Sequence, residues 1–387
     1  MAHQLLCNVI RLTPCGRGAV ASVMLVGRDA LAILEPCLVF PKSGDMPTPQ
    51  EHVVSDAPVF AHFLLGNSRE EVVLNFRSDG MIELHCHGGD VVVNAIVCAL
   101  VECGAVPQTW QDWLLEMPDV IQQEALQLLP LAETEWTAKL LLAQYHGALS
   151  RRINQLNDLI ANSAVQEAIT ILDSLLASYE LGKHLTMPFR VGLIGPVNVG
   201  KSSLMNALVG FNRSITSHIA GTTRDAVSSK TIIAGWPVML IDTAGIRETS
   251  NPIEQEGISR MQTVMAESDL LLSVTDARDD QTSRQHPIID IAPTTLVLHI
   301  VNKIDLVAED KVLLLRDLPD TVHVSALTGM GLDQLNEALI KQLHKNCDLA
   351  NGDENLSQTA LVFTERQYAQ LLAVWEMVER TQSEPRT

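Results

Sequence analysis

The run Gly195-Pro196-Val197-Asn198-Val199-Gly200-Lys201-Ser202 follows directly on the apolar residues Val191–Ile194. Its spacing is that of a phosphate-binding loop, Gly-x-x-x-x-Gly-Lys-Ser, which tolerates few surroundings. A buried strand has to deliver the loop, and the loop has to open into a helix. The glycines then let backbone N–H groups curl around phosphate oxygens. Lys201 reaches the terminal phosphates, Ser202 binds Mg2+, and the helix turns its positive end towards the anion. The flanking chain meets that demand. Apolar strand candidates recur at Arg190–Ile194, Val238–Ile241, Leu270–Thr275, Leu296–Val301 and Val322–Val324, with helical stretches between most of them. Apolar strands alternating with helices predict a mainly parallel sheet, covered on both faces, over residues 189–345.

More elements follow in order. Gly221-Thr-Thr-Arg-Asp225 lies in a polar loop after the first helix, with Thr223 placed to complete the Mg2+ shell. Asp242-Thr243-Ala244-Gly245 ends the strand Val238–Ile241; Asp242 would hold Mg2+ through water, and the Gly245 N–H would meet the γ-phosphate. Asn302-Lys303-Ile304-Asp305 ends the strand Leu296–Val301, and Ser325-Ala326-Leu327 follows Val322–Val324. All are expected at the carboxyl ends of strands, where open α/β sheets bind ligands. The predicted nucleotide contacts are Asn198 to Ser203, Val199 and Gly200 among them, then Asp242 to Gly245, Asn302, Lys303, Asp305, and Ser325 to Leu327. Asp305 selects the base. Its carboxylate accepts from guanine N1–H and N2–H2, donors that adenine lacks there. A site built around such a bond rejects the analogue without it by roughly 10⁴-fold, so GTP is preferred over ATP.

Ile246, not Gln, follows Gly245, so a Ras-like water-orienting glutamine is absent from that place. Two residues are candidates for the missing work. Asn198 is either a ligand for a monovalent cation beside the phosphates or a simple turn residue. Glu254 is either the group that orients the attacking water or an exposed acid beginning a helix at Ile253.

The remainder of the chain has other patterns. Residues 1–105 alternate apolar and polar in short runs. Glu71–Phe76, the turn Arg77–Gly80 and Met81–His85 predict a β-hairpin. Residues 43–68, rich in Pro, Gly, Ser and His, read as a loop, and Val91–Val101 as a buried helix, with a strand the alternative for so apolar a run. Residues 106–188 turn to helical period, with Leu156, Leu159, Ile160, Ile169, Leu172, Leu175, Leu176 and Tyr179 on one face and a break near Asn162-Ser163. Leu181-Gly182 reads as the stop. Residues 346–387 hold a polar linker and one amphipathic helix with Tyr368, Leu371, Leu372, Trp375 and Val378 on one side.

Charge is uneven. The chain has 27 Lys plus Arg against 46 Asp plus Glu, net −19. Residues 189–345 account for −4 of this and the rest for −15, and no Lys or Arg occurs from Asp79 to Ala138. A generally basic nucleic-acid binder is excluded. The 7 Cys are scattered without a Cys-x-x-Cys, which fits a reducing compartment, and the group His85, Cys86, His87, Cys98, Cys103 matches no standard zinc spacing. No secretory leader or membrane span is predicted, so the expected location is cytoplasmic.

Three features together carry a family resemblance: PVNVGKSSLMNAL, IAGTTRD, DTAGIRE and NKID in the central region; Thr13-Pro-Cys-Gly-Arg-Gly18 and Glu83-Leu-His-Cys-His-Gly-Gly89 near the N-terminus; and a G domain between two helical segments. The chain resembles the TrmE/MnmE family of GTPases, which modify the wobble uridine of certain tRNAs. The resemblance implies an α/β P-loop GTPase domain (189–345) inserted in a discontinuous α-helical domain (106–188 and 346–387), preceded by an α+β, folate-binding-like and dimer-forming domain (1–105). It implies potassium activation, with Asn198 as cation ligand and a loop from Ser217 to Thr222, including Ile219, closing over the ion. It puts the catalytic Glu on Glu254, beside Lys201 and Thr223, and a tetrahydrofolate contact on Glu83. It further implies a homodimer, a flavin-dependent partner protein and tRNA, with no membrane association.

The chain departs from that pattern in places. Met24 stands where the family has an Arg for the folate. Pro107–Met117 has no basic residue where the family is basic. The family ends in Cys-x-Gly-Lys, whereas the last Cys here is Cys347. Three readings stay open: a tRNA-modifying GTPase, a diverged GTP switch or binding module that has lost the folate and tRNA chemistry, and an incomplete chain whose missing end held the Cys motif.

Overall fold

The structure is a computed structural model and describes residues 7–40, 58–77, 80–213, 228–242, 264–279, 296–308, 321–344 and 358–383. The chain forms two compact units, Met1–Val120 and Ile121–Thr387.

The first unit is built on a seven-stranded sheet. Its strands are β1 (Asn8–Arg11), β2 (Val20–Val26), β3 (Leu38–Val39), β4 (Val59–Leu65), β5 (Ser68–Phe76), β6 (Ile82–His87) and β7 (Val106–Gln108), with α1 (Ala30–Leu34), α2 (Asp90–Glu102) and α3 (Trp110–Leu115) between or after them. The order is β3-β4-β5-β6-β2-β1-β7. Every pairing is antiparallel except β1 with β7. Strand periodicity sorts the side chains. Val23, Leu25, Val72, Leu74, Ile82, Leu84 and Cys86 form one core with Val93, Ile96 and Leu100 of α2. The alternate residues Ser22, Glu83 and His85 lie on the other face, so Cys86 is separated from its two histidine neighbours.

The predicted hairpin is present as β5 and β6, with Gly80 left-handed at φ 82° and Arg77 N–H donating to Met81 O at 2.9 Å. Two readings change. Val59–Leu65, expected within a loop, is a strand, because its alternation Phe60-Ala61-His62-Phe63 buries Ala61 and Phe63 fully. Val106–Gln108, expected at the head of the helical segment, is the edge strand β7; an edge is the place where Pro107 fits, since it has no N–H to donate. The two N-terminal motifs lean on each other. Gly88 N–H donates to Ala19 O at 3.0 Å, and the Asp90 carboxylate accepts from Arg11 at 2.8 Å and from Gly16 N–H at 3.0 Å.

The second unit begins with helices α4 (Val120–Leu128), α5 (Glu135–Tyr145), α6 (Ala148–Ala161) and α7 (Val165–Gly182). The break between α6 and α7 falls at Ser163, φ 60°. A six-stranded sheet follows: β8 (Phe189–Ile194), β9 (Ser228–Ile233), β10 (Trp236–Asp242), β11 (Leu270–Asp276), β12 (Leu296–Asn302) and β13 (Thr321–His323), with helices α8 (Lys201–Arg213) and α9 (Leu332–Leu343). The order is β13-β12-β11-β8-β10-β9, parallel except for the edge strand β9, which was missed in the sequence because four of its six residues are polar.

The last described helix, α10 (Glu365–Ser383), returns to α7. Tyr368 stacks on Tyr179 with centroids 4.7 Å apart, and Trp375 Nε1 donates to Asp173 at 2.8 Å. The α-helix α7 ends at Gly182, where the sequence predicts its stop. The backbone there is right-handed, φ −63°, and the glycine also permits close approach: a Cβ would lie 1.9 Å from the Val362 carbonyl oxygen. Fully buried Trp236 joins the chain entering the sheet to the chain leaving α9. It meets Phe189 and His344 edge-on, each with centroids 5.5 Å apart.

Candidate nucleotide-binding site

The parallel strands β8, β10, β11 and β12 end side by side, and the order reverses around β8. Ligands of open α/β sheets bind in the crevice outside such a reversal. The loop Gly195–Gly200 fills that place and α8 starts at Lys201, so the helix N-terminus faces the crevice.

The loop is shaped by its neighbours. Gly200 has φ 95°, and a Cβ there would come within 2.5 Å of Asn302 Nδ2, so only glycine serves. Asn302, 1% exposed at the end of β12, donates to Val199 O at 2.9 Å and accepts from Ala326 N–H at 3.0 Å. One side chain thereby ties the phosphate loop to the loop after β13. Ser325 Oγ donates to Asp305 at 2.6 Å, fixing the carboxylate of an exposed residue. Lys303, left-handed at φ 63°, donates to the carbonyl of Asn198, which is also left-handed at φ 64°. Lys201 is buried and donates to the Gly195 and Pro196 carbonyls at 2.9 and 2.8 Å. The Ser202 hydroxyl donates to the buried Asp242 carboxylate. Ser203 lies on the exposed side of α8, and Leu327 is 85% exposed.

Asn198 to Ser203, Asp242, Asn302, Lys303, Asp305 and Ser325 to Leu327 are therefore gathered at one end of the sheet. Thr243, Ala244, Gly245, Glu254, Thr223, Ser217, Ile219 and Thr222 lie outside the described residues. The donor set fits Mg2+: a hydroxyl and a carboxylate that already touch, both hard oxygen ligands. For potassium, the described part of the candidate set is Asn198, whose left-handed backbone is one that asparagine adopts more readily than most residues.

Sequence reasoning missed Asp276 and Arg278. Asp276 ends β11 opposite Asn302 and is 5% exposed. Arg278 beside it, with Lys303, holds its carboxyl well below the usual carboxylate range, against the opposing effect of burial. The available signal was an acid at the carboxyl end of a predicted parallel strand, with Arg two residues on.

Glu83, in the first unit, has another environment. Its carboxylate accepts from Arg77 at 3.0 Å and from Asn75 at 3.5 Å, and Met24, 2% exposed, is its cross-strand neighbour. A carboxylate already paired with a guanidinium, opposite an apolar side chain, does not fit the expected contact to a tetrahydrofolate.

The family model described as 50S ribosome-binding GTPase matches residues 190–303. A tRNA modification GTPase MnmE of Moorella thermoacetica is 29% identical, over 94% of this chain and 88% of that protein. One of Streptococcus pyogenes is 30% identical, over 88% of this chain and 81% of that protein. Among solved structures, the FeoB G-domain of Methanococcus jannaschii is 21% identical and covers 40% of this chain and 97% of that one, with a TM-score of 0.29. With a GTPase domain around the phosphate loop and relatives of this identity over nearly the whole length, the chain belongs to the family of the tRNA modification GTPase MnmE.

Proposed function

We propose that this protein binds GTP with Mg2+ at the end of the second unit's sheet and hydrolyses it in a potassium-stimulated reaction. One observation carries the reading: the phosphate loop, Asp242 and the Asn302–Asp305 loop converge, tied together by Asn302 and Lys303. In this reading Lys201 neutralises the terminal phosphates, while Ser202 and Thr223 hold Mg2+ with Asp242 acting through water. Asp305 reads guanine. Asn198, with Ser217, Ile219 and Thr222, would hold the monovalent cation, whose charge would offset that developing on the phosphates. Glu254 would orient water. The return of α10 to α7 supports a G domain inserted in a split helical domain.

Family membership supports a role in wobble-uridine modification of tRNA, with a homodimer formed through the N-terminal domain, a flavin-dependent partner and a cytoplasmic location. No helix among the described residues is long and apolar enough to cross a membrane. A second reading, a GTP switch without the tRNA chemistry, is favoured by the Arg77–Glu83 pair and by the absence of Lys and Arg from Asp79 to Ala138. Phosphate contacts dominate nucleic-acid affinity, and that stretch has no cation to supply them. No folate step enters either reading. Complementation of a strain lacking its own family enzyme, scored by wobble-uridine content, separates the two: restored modification supports the first, and failure with intact GTP hydrolysis supports the second.

A further inference from the structure

Among the described residues, the non-glycine positions with a left-handed backbone are Ser163, Asn198, Ala234 and Lys303. Such backbones cost free energy and persist where surrounding contacts hold them. Ser163 and Ala234 lie in turns between regular elements. Asn198 and Lys303 hold each other: the Lys303 ammonium donates to the Asn198 carbonyl. A lysine ammonium sits on a flexible stem with three donors, and a second acceptor narrows where it points. That acceptor is Asp276 Oδ2, 2.9 Å from Lys303 Nζ.

Asp276 is itself confined. Its Oδ1 accepts from Arg278 N–H and Nε, each at 3.0 Å, and its Oδ2 accepts from Arg278 Nη2 at 2.7 Å. This is the two-pronged guanidinium–carboxylate pairing, which fixes orientation as well as charge. The backbone is locked too, since Ala277 N–H donates to Asn302 O at 2.8 Å and Asp276 stands opposite Asn302 in the β11–β12 register.

We infer that Asp276 is a positioning residue of the nucleotide site: its carboxylate, oriented by Arg278, aims Lys303 at the Asn198 carbonyl and so sets the spacing between the guanine-reading loop and the phosphate loop. A nucleotide spans both loops, with its base on one and its phosphates on the other. Holding them at one spacing before binding lowers the ordering cost of association. The inference rests on the proposed reading of Lys303 and Asn198 as parts of that site.

The test is titration of the full-length protein with a fluorescent GDP analogue, using Asp276→Asn, Lys303→Gln, the double variant and Arg278→Ala, each checked for folding by circular dichroism. Each of the first two should weaken binding by about tenfold, the scale of a lost hydrogen bond to a charged group. The double variant should be about as weak as the weaker single, because both act through one interaction. A purely structural role for Asp276 would instead add to the Lys303→Gln loss. KM for GTP should rise about tenfold in Asp276→Asn, with a smaller change in kcat. If Asp276→Asn does not fold, Arg278→Ala carries the test: a loss of about threefold that disappears in the Lys303→Gln background. Binding by Asp276→Asn within about twofold of the wild type, with Lys303→Gln weak, would overturn the inference. Lys303→Gln binding like the wild type would instead remove Lys303 from the site and defeat the underlying reading.

Discussion

Replacing Asn302 by Ala removes the side chain that joins the phosphate loop to the loop after β13. Asn302 is 1% exposed and makes two bonds, to Val199 O at 2.9 Å and from Ala326 N–H at 3.0 Å. Truncation leaves one carbonyl and one N–H without partners, and a buried orphan costs about 1–3 kcal/mol. The pair comes to about 2–6 kcal/mol. In the free protein the two loops can part and regain water, which recovers some of this. A bound nucleotide requires both loops in place, so the cost passes into binding. Affinity for a fluorescent GDP analogue should therefore fall by at least about 30-fold, with only a small drop in melting temperature. Asn302→Asp is the control. It keeps size and acceptor but turns a carboxylate towards the Val199 carbonyl, and it should bind at least as weakly. Affinity within about threefold of the wild type in Asn302→Ala, with an unchanged melting temperature, would refute the claim that these bonds hold the site together.

Glu254→Ala should lower kcat by about 10²-fold or more, the usual effect of losing a positioned base or orienter, with GTP affinity nearly unchanged; steady-state kinetics and equilibrium titration read the two separately. Hydrolysis should be faster in K+ than in Na+ at equal ionic strength, and equal rates would remove Asn198 and the Ser217–Thr222 loop from the mechanism. Asp305→Asn should relax the preference for guanine, measured as the ratio of GTP to xanthosine triphosphate turnover. Burial pushes the His344 imidazole below its ordinary value, so the unfolded chain takes up this proton first as pH falls. The melting temperature should accordingly be highest above the ordinary histidine range and decline from about pH 6.5 downwards, and His344→Phe, which keeps an aromatic ring against Trp236, should flatten the decline.

Much of the nucleotide site was legible in the sequence because its parts are short and local. A phosphate loop needs Gly, Lys and Ser at set intervals, and Asp242 and Asn302 each occupy a strand end that an apolar run announces. The helices α6 and α7 were legible for the same reason, since period 3.6 is a property of neighbouring residues. Strand β4 was hidden by its Pro- and Gly-rich surroundings, and β9 by its polar residues, which an edge strand tolerates.

Composition and spacing alone determined that this chain carries a guanine-nucleotide loop system on a parallel sheet, and that most of its negative charge lies elsewhere. Tertiary structure decided what holds those pieces. Asp276 reaches Lys303 across 27 residues and Asn302 reaches Val199 across 103, separations at which no local pattern operates. It likewise showed why glycine stands at the end of α7: the Val362 carbonyl leaves no room there for a Cβ. Glu83 shows the same limit at short range: the family resemblance implied a ligand contact, while the antiparallel register of β5 and β6 brings Arg77 to its carboxylate. Pairwise contacts are set by where the sheet places its strand ends, and that placement emerges only when the whole core has packed.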